Sequence, residues 1–228
     1  IGLERIKQTL TQAVNANHVA HAQLFQGHEG GGALAMAVAY ATYVLCSDKQ
    51  ANDSCGKCPS CLKMSKLAHP DVAYIFPTAG GKKVLSENFM SEWREFVLQT
   101  PYATLSDWLD KISIKQGNIP VEEARQLIQN LSLKSYEGGY KIVIIWQADL
   151  LNIAAANALL KLLEEPPEKT LLLLVSTQAD KLLTTIISRT QRVKIGLFED
   201  ADIEHYLHEK HHIATERAKQ VAFLSEGN

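Results

Sequence analysis

The chain has 228 residues, 46% hydrophobic and 21% charged, which is ordinary globular composition and excludes a disordered polar segment. A formal net charge of -2 argues against a strongly basic nucleic-acid binder acting alone. No apolar run reaches the ~18 residues of a membrane span, and the opening IGLERIKQTL lacks a signal-peptide layout, so the expected setting is cytoplasmic, with no membrane partner.

Residues 3–19 read as an amphipathic helix, with Leu3, Ile6, Leu10 and Val14 spaced for one face. Leu24-Phe25 is a short strand that leads into a glycine turn, and 33–46 is an alanine-rich helix. DVAYIF (71–76), bounded by Pro70 and Pro77, is a second strand. Residues 78–118, with Gly80-Gly81 and Pro101, are mixed and less periodic, and they read as a surface insertion with short aromatic-flanked helices. Pro120 and the acids that follow it start a helix over 121–133, and KIVIIW (141–146) is a β-branched run suited to a strand buried on both faces. A helix from about Asn152 to Glu165 stops against Pro166-Pro167; LLLLV (171–175) and RVKI (192–195) complete five strands. Strands alternating with helices predict a parallel five-stranded α/β sheet covered on both faces.

All four cysteines fall within residues 46–61, as Cys46-x8-Cys55-x2-Cys58-x2-Cys61. Four thiolates at such spacing close a tetrahedral zinc site with no open position, so a structural metal is expected. Two disulfides are disfavoured in a reducing compartment, and free cysteines rarely cluster in this way. Lys57, Lys63 and Lys66 are read as ordinary solvated lysines rather than as a DNA-touching knuckle.

The stretch LFQGHEGGGALAMAVA has the outline of a phosphate-binding loop, Gly27-x4-Gly32 with Gly30 and Gly31 between. Such a loop works with a lysine for the β and γ phosphates and a hydroxyl for magnesium; here those positions hold Ala33 and Leu34. A nucleotidase of this architecture ends a later strand with Asp-Glu, and this chain has Trp146 and Gln147 after KIVII. Phosphoryl transfer depends on the missing groups, so neither binding nor hydrolysis of ATP by this chain is expected. Ser176 and Thr177 are read as capping or loop residues, and His205, His208, His211 and His212 as a solvated helix face.

Taken in order, HAQLFQG, the glycine turn, the four-cysteine insert, HPD (69–71), NALLKLLEEPP (157–167) and ISRT (187–190) resemble the AAA+ clamp-loader subunits of bacterial DNA polymerase III, of gamma/tau and delta-prime type. The degenerate loop is similar to the delta-prime type, the non-hydrolysing stator. The resemblance implies an AAA+ domain over 1–195 with the zinc module at 46–61, and the start of a helical lid over 196–228. On this resemblance the family's collar domain is expected to lie outside the given sequence, and the lid's sensor arginine to follow Asn228. A chain that starts at Ile1 and stops at SEGN is expected to be trimmed. The resemblance further implies that the chain helps load a sliding clamp onto primed DNA, as part of the DNA polymerase III holoenzyme, a nucleotidyltransferase complex. Its implied partners are gamma/tau-type and delta-type subunits, the clamp, and DNA through the assembled complex. The family's Ser-Arg-Cys motif supplies an arginine finger to a neighbour's ATP site, and the matching residues are Ser188, Arg189 and Thr190. A planar, always-charged guanidinium suits that task. The alternatives are a gamma/tau-type ATPase with a rewired site and, against the near-neutral charge, a zinc-dependent DNA-binding module.

Overall fold

The computed structural model describes residues 2–79 and 84–227; Gly80-Gly81 and the end at Asn228 lie outside the described residues. In chain order the main elements are α1 (Glu4–Asn15), β1 (Ala22–Gln26), α2 (Ala33–Leu45), α3 (Pro59–Met64), β2 (Val72–Ile75), α4 (Met90–Gln99), α5 (Leu105–Lys111), α6 (Val121–Ser132), β3 (Lys141–Trp146), α7 (Ile153–Glu164), β4 (Thr170–Ser176), α8 (Thr184–Ile187), β5 (Gln191–Lys194), α9 (Asp200–His211) and α10 (Thr215–Ser225). The strands form one sheet of order β2-β3-β4-β1-β5, with every pairing parallel. This is the predicted five-stranded parallel sheet. Among the described residues no helix is long and apolar enough to cross a membrane.

Alternation along the central strands divides the interior in two. Ile142, Ile144 and Trp146 of β3, with Leu171, Leu173 and Val175 of β4, enter the core shared with α2, α4 and α5. Val143 and Ile145, with Leu172 and Leu174, enter the opposite core under α6 and α7. Successive strand residues point to opposite faces, so a run apolar at every position must be covered twice. Local signals set the helix ends. Asn152 caps α7 by accepting from the Ala155 N–H at 2.7 Å, and Thr104 and Asp107 exchange hydrogen bonds at the start of α5.

Residues 78–118 depart from the surface insertion expected of them. Trp93 of α4 and Trp108 of α5 are both 0% exposed and belong to the main core. Trp93 stacks on Phe76 with centroids 4.3 Å apart and packs beside Trp146 at 5.2 Å, and the Trp108 indole N–H donates to the Pro77 carbonyl at 2.8 Å. The segment folds inward because Trp93, Phe96 and Val97 share one face of α4, and that face covers the end of the sheet.

The same region holds a buried carboxylate. Glu123 of α6 accepts from both the backbone N–H and the hydroxyl of Ser86, whose hydroxyl also lies 3.1 Å from the Phe76 carbonyl. Burial pushes the Glu123 carboxyl above its ordinary value, against the lowering effect of Ser86, and the charge of Glu87 adds to the rise. The folded state therefore holds a proton on Glu123 more readily than the unfolded state, and this group's contribution to stability falls as pH rises above the ordinary glutamate range. Both hydrogen bonds end on Oε1, which a glutamine retains. Glu123→Gln is expected to be more stable than the parent near neutral pH, with the gap narrowing on acidification; denaturant unfolding at two pH values checks it. A gap that widens as pH falls contradicts this account.

Candidate functional site

The strongest local constellation is the cysteine cluster. Cys46 ends α2, Gly56 turns the chain at φ +69°, Cys58 caps α3 ahead of Pro59, and Cys61 lies inside α3. The four sulfurs lie within 4.8 Å of one another, with Cys46–Cys58 and Cys55–Cys61 each at 4.0 Å. Bonds of ~2.3 Å from four thiolates to one zinc place the sulfurs ~3.8 Å apart, so the spacing suits a tetrahedral ion. No disulfide is present: all four are free thiols. Backbone N–H groups of Cys55, Cys58 and Cys61 donate to the sulfurs of Cys46, Cys55 and Cys58 in turn, at 3.3, 3.3 and 3.5 Å. Burial opposes the Cys58 thiolate, yet donors from Cys61 and Ser47 outweigh it and lower the pKa; burial and the neighbouring sulfurs raise that of Cys61. The cluster can hold a metal ion. Among the described residues it is the only such group, and His205, His208, His211 and His212 of α9 and its C-cap are exposed.

One carboxylate ties this module to the sheet. Glu137 pairs with Lys63 and accepts from Ser60, both of α3. Its backbone N–H donates to Asp71 at 2.8 Å, and buried His69 places Nε2 3.1 Å from it, outside hydrogen-bond geometry. The Lys63 ammonium holds the Glu137 carboxyl below its usual value, against some burial. His69 and Asp71 belong to the HPD motif, whose contact with Glu137 sequence reasoning missed; nothing local marks a partner that far along the chain.

The glycine turn joins β1 to α2. The Gly27 N–H donates to the Ser176 carbonyl at 3.2 Å, the Gly31 N–H to the His28 carbonyl at 3.1 Å, and Gly30 has φ +74°. Packing explains two of the glycines. A Cβ on Gly27 would lie 2.8 Å from the Ala33 Cβ; one on Gly32 would meet Phe198 Cζ at 2.8 Å and Leu3 Cδ1 at 3.3 Å. Ala33 and Leu34 are buried, and apolar Phe198 and Leu3 lie over Gly32, where the helix begins.

At the carboxyl ends of β3 and β4 the polar groups satisfy one another. Trp146 is built into the aromatic cluster, and Gln147 is buried with φ +54°. Thr177 Oγ1 donates to Gln147 Oε1 at 3.2 Å. Ser176 Oγ donates to Asp149 Oδ1 at 2.5 Å and accepts from the Gln178 N–H at 3.1 Å. Ser176 and Thr177 thus act within the loop, as read from sequence. The Ser176–Asp149 bond was not anticipated.

Ser188, Arg189 and Thr190 follow α8. Arg189 Nε and Nη2 lie 2.9 and 2.7 Å from Glu164 Oε1, and Nη1 donates to the Thr185 carbonyl at 2.9 Å. The side chain is 35% exposed. None of its hydrogen bonds reaches the glycine turn or the cysteines.

Comparison with known proteins gives a consistent result. The family model described as DNA polymerase III, delta subunit, matches residues 2–199. The delta' subunit of DNA polymerase III from Yersinia pestis is 35% identical over 169 residues, 74% of this chain and 39% of that protein. The tau subunit from Bacillus subtilis is 30% identical over 192 residues, 84% of this chain and 27% of that protein. The chain therefore spans well under half the length of these relatives. The RuvB Holliday junction branch migration motor of Thermotoga maritima shares the fold, with TM-score 0.52 at 13% identity over 100% of this chain and 58% of that one.

Proposed function

The chain belongs to the DNA polymerase III delta-subunit family of clamp-loader proteins, and from that premise we propose that it is a non-hydrolysing stator of delta-prime type. In this reading it assembles with gamma/tau-type and delta-type subunits in a loader that places a sliding clamp on primed DNA. Its AAA+ domain spans about 1–195, residues 196–228 begin the lid, and the cysteine cluster carries structural zinc. The observation that carries the proposal lies at the end of β3. The position for a magnesium-binding carboxylate holds Trp146, which is 3% exposed and packed against Trp93 and Phe96. Gln147 follows, its carbonyl oxygen taken by Thr177. With Ala33 in place of a lysine and an indole in place of the strand-end carboxylate, the turn lacks the cation that meets phosphate and the acid that holds magnesium in a working site. The turn persists because the strand-to-helix connection needs it, and Arg189 acts on the nucleotide of an adjoining subunit.

An ATPase assay separates this reading from a gamma/tau-type ATPase, which the likeness to tau favours. The purified chain is expected to show no turnover above buffer. Ala33→Lys alone is expected to restore none, since magnesium and the attacking water still lack their groups. Turnover that disappears on substitution of Gly32 would make the chain an ATPase and overturn the stator reading.

A further inference from the structure

The Arg189 guanidinium is already occupied in this chain. Of the five N–H donors an arginine carries, that of Nε donates to Glu164 Oε1 at 2.9 Å, and those of Nη1 meet the Thr185 carbonyl at 2.9 Å and Ser188 Oγ at 3.4 Å. Nη2 lies 2.7 Å from the same Glu164 oxygen as an ion-pair contact. A phosphate arriving from another subunit therefore finds the guanidinium already paired with a carboxylate. That carboxylate stands in an unfavourable place. Glu164 is the last residue of α7 and is followed by Glu165, so its charge faces the negative end of the helix dipole. Among the described residues its side chain has no hydrogen-bond or ion-pair partner except Arg189. Helix stability gives no reason for an acid at this position, whereas the pairing does.

We propose that Glu164 is a positioning residue that parks Arg189 and releases it to the phosphates of a nucleoside triphosphate bound by the adjoining ATPase subunit. This carboxylate-for-phosphate exchange rests on the reading of Arg189 as a finger in trans. The strength of the parked pair suits the task. Its side chains are 35% and 50% exposed, and an exposed pair shifts an equilibrium by at most about fivefold. A phosphate chain carries more charge than one carboxylate and accepts the same fork. Parking keeps the guanidinium folded against α7 and α8 until that anion arrives, and makes each engagement of the finger slightly weaker than an unparked arginine would give.

The test uses the full-length protein reconstituted with its ATPase partners, read by titration with a non-hydrolysable ATP analogue and by steady-state ATPase. Glu164→Gln keeps the side-chain shape and removes the charge. It is expected to tighten analogue binding at the adjoining site about two- to fivefold, with kcat changed less than twofold and assembly unaltered. Glu164→Asp, which keeps the charge, is expected to stay near the parent. In an Arg189→Ala background the effect of Glu164→Gln is expected to vanish. If Glu164→Gln leaves binding unchanged or weakens it while Arg189→Ala lowers activity, the exchange is wrong and the finger stands. If Arg189→Ala also changes neither binding nor rate, the finger itself is wrong and the exchange falls with it.

Discussion

Arg189→Ala in the reconstituted loader is expected to lower the ATPase and clamp-loading rates at least tenfold, up to the ~10³ that an arginine finger in trans contributes. Several ATP sites in one assembly would keep the loss toward the lower figure. The chain itself is expected to fold and assemble as before. Its ties to Glu164 and Thr185 lie at the surface, and an exposed pair is worth no more than about 1 kcal/mol. Arg189→Lys is expected to rescue in part, since a point charge meets the phosphate but cannot reproduce the planar fork. Size-exclusion chromatography of each complex beside its rate measurement separates loss of assembly from loss of catalysis. A mutant complex that assembles and loads clamps at the parental rate would make Arg189 a structural arginine.

The second large effect belongs to the cysteines. Elemental analysis of freshly purified chain is expected to find one zinc per molecule, and Cys58→Ser is expected to release it. Cys58 is at once one of the four clustered sulfurs, the cap of α3 and an acceptor for the Cys61 N–H. Structural zinc sites contribute on the order of 10 kcal/mol to the fold around them, so residues 46–61 are expected to lose their order. Amide exchange should report the change in α3 and in the Glu137 loop that Lys63 and Ser60 hold, while β3 and β4, buried on both faces, keep their protection. Zinc-free native protein, or Cys58→Ser that keeps its metal, would refute the assignment.

How much was legible in the sequence depended on the distance between cause and effect. The strands KIVIIW and LLLLV could be read directly, because burial on both faces leaves an unbroken apolar run. The cysteine cluster could be read because all its ligands lie within one short segment. Residues 78–118 were misplaced at the surface because α4 and α5 are too short for a clear period, and their tryptophans face a core assembled from β2 and β3. The partners of Arg189 and of Glu137 were hidden for a different reason. Glu164 lies 25 residues before Arg189, and Lys63 lies 74 residues before Glu137. Only the packing of the sheet's connections brings these charges together.

The aromatic packing of Trp146 also sets what else this position can hold. Its indole fills part of the domain's interior. Trp146 leans on Trp93 and Phe96, and the segment that carries them is anchored there. An aspartate here would empty a space whose loss costs about 3–5 kcal/mol when a buried tryptophan is truncated, and would leave a charge among indole rings. A carboxylate at this position would require α4 to be repacked first, and each intermediate would be less stable than the form it left. On the stator reading proposed above, substitutions at Trp146 alone would therefore not build a magnesium site, and the packing of α4 would set the order of any change.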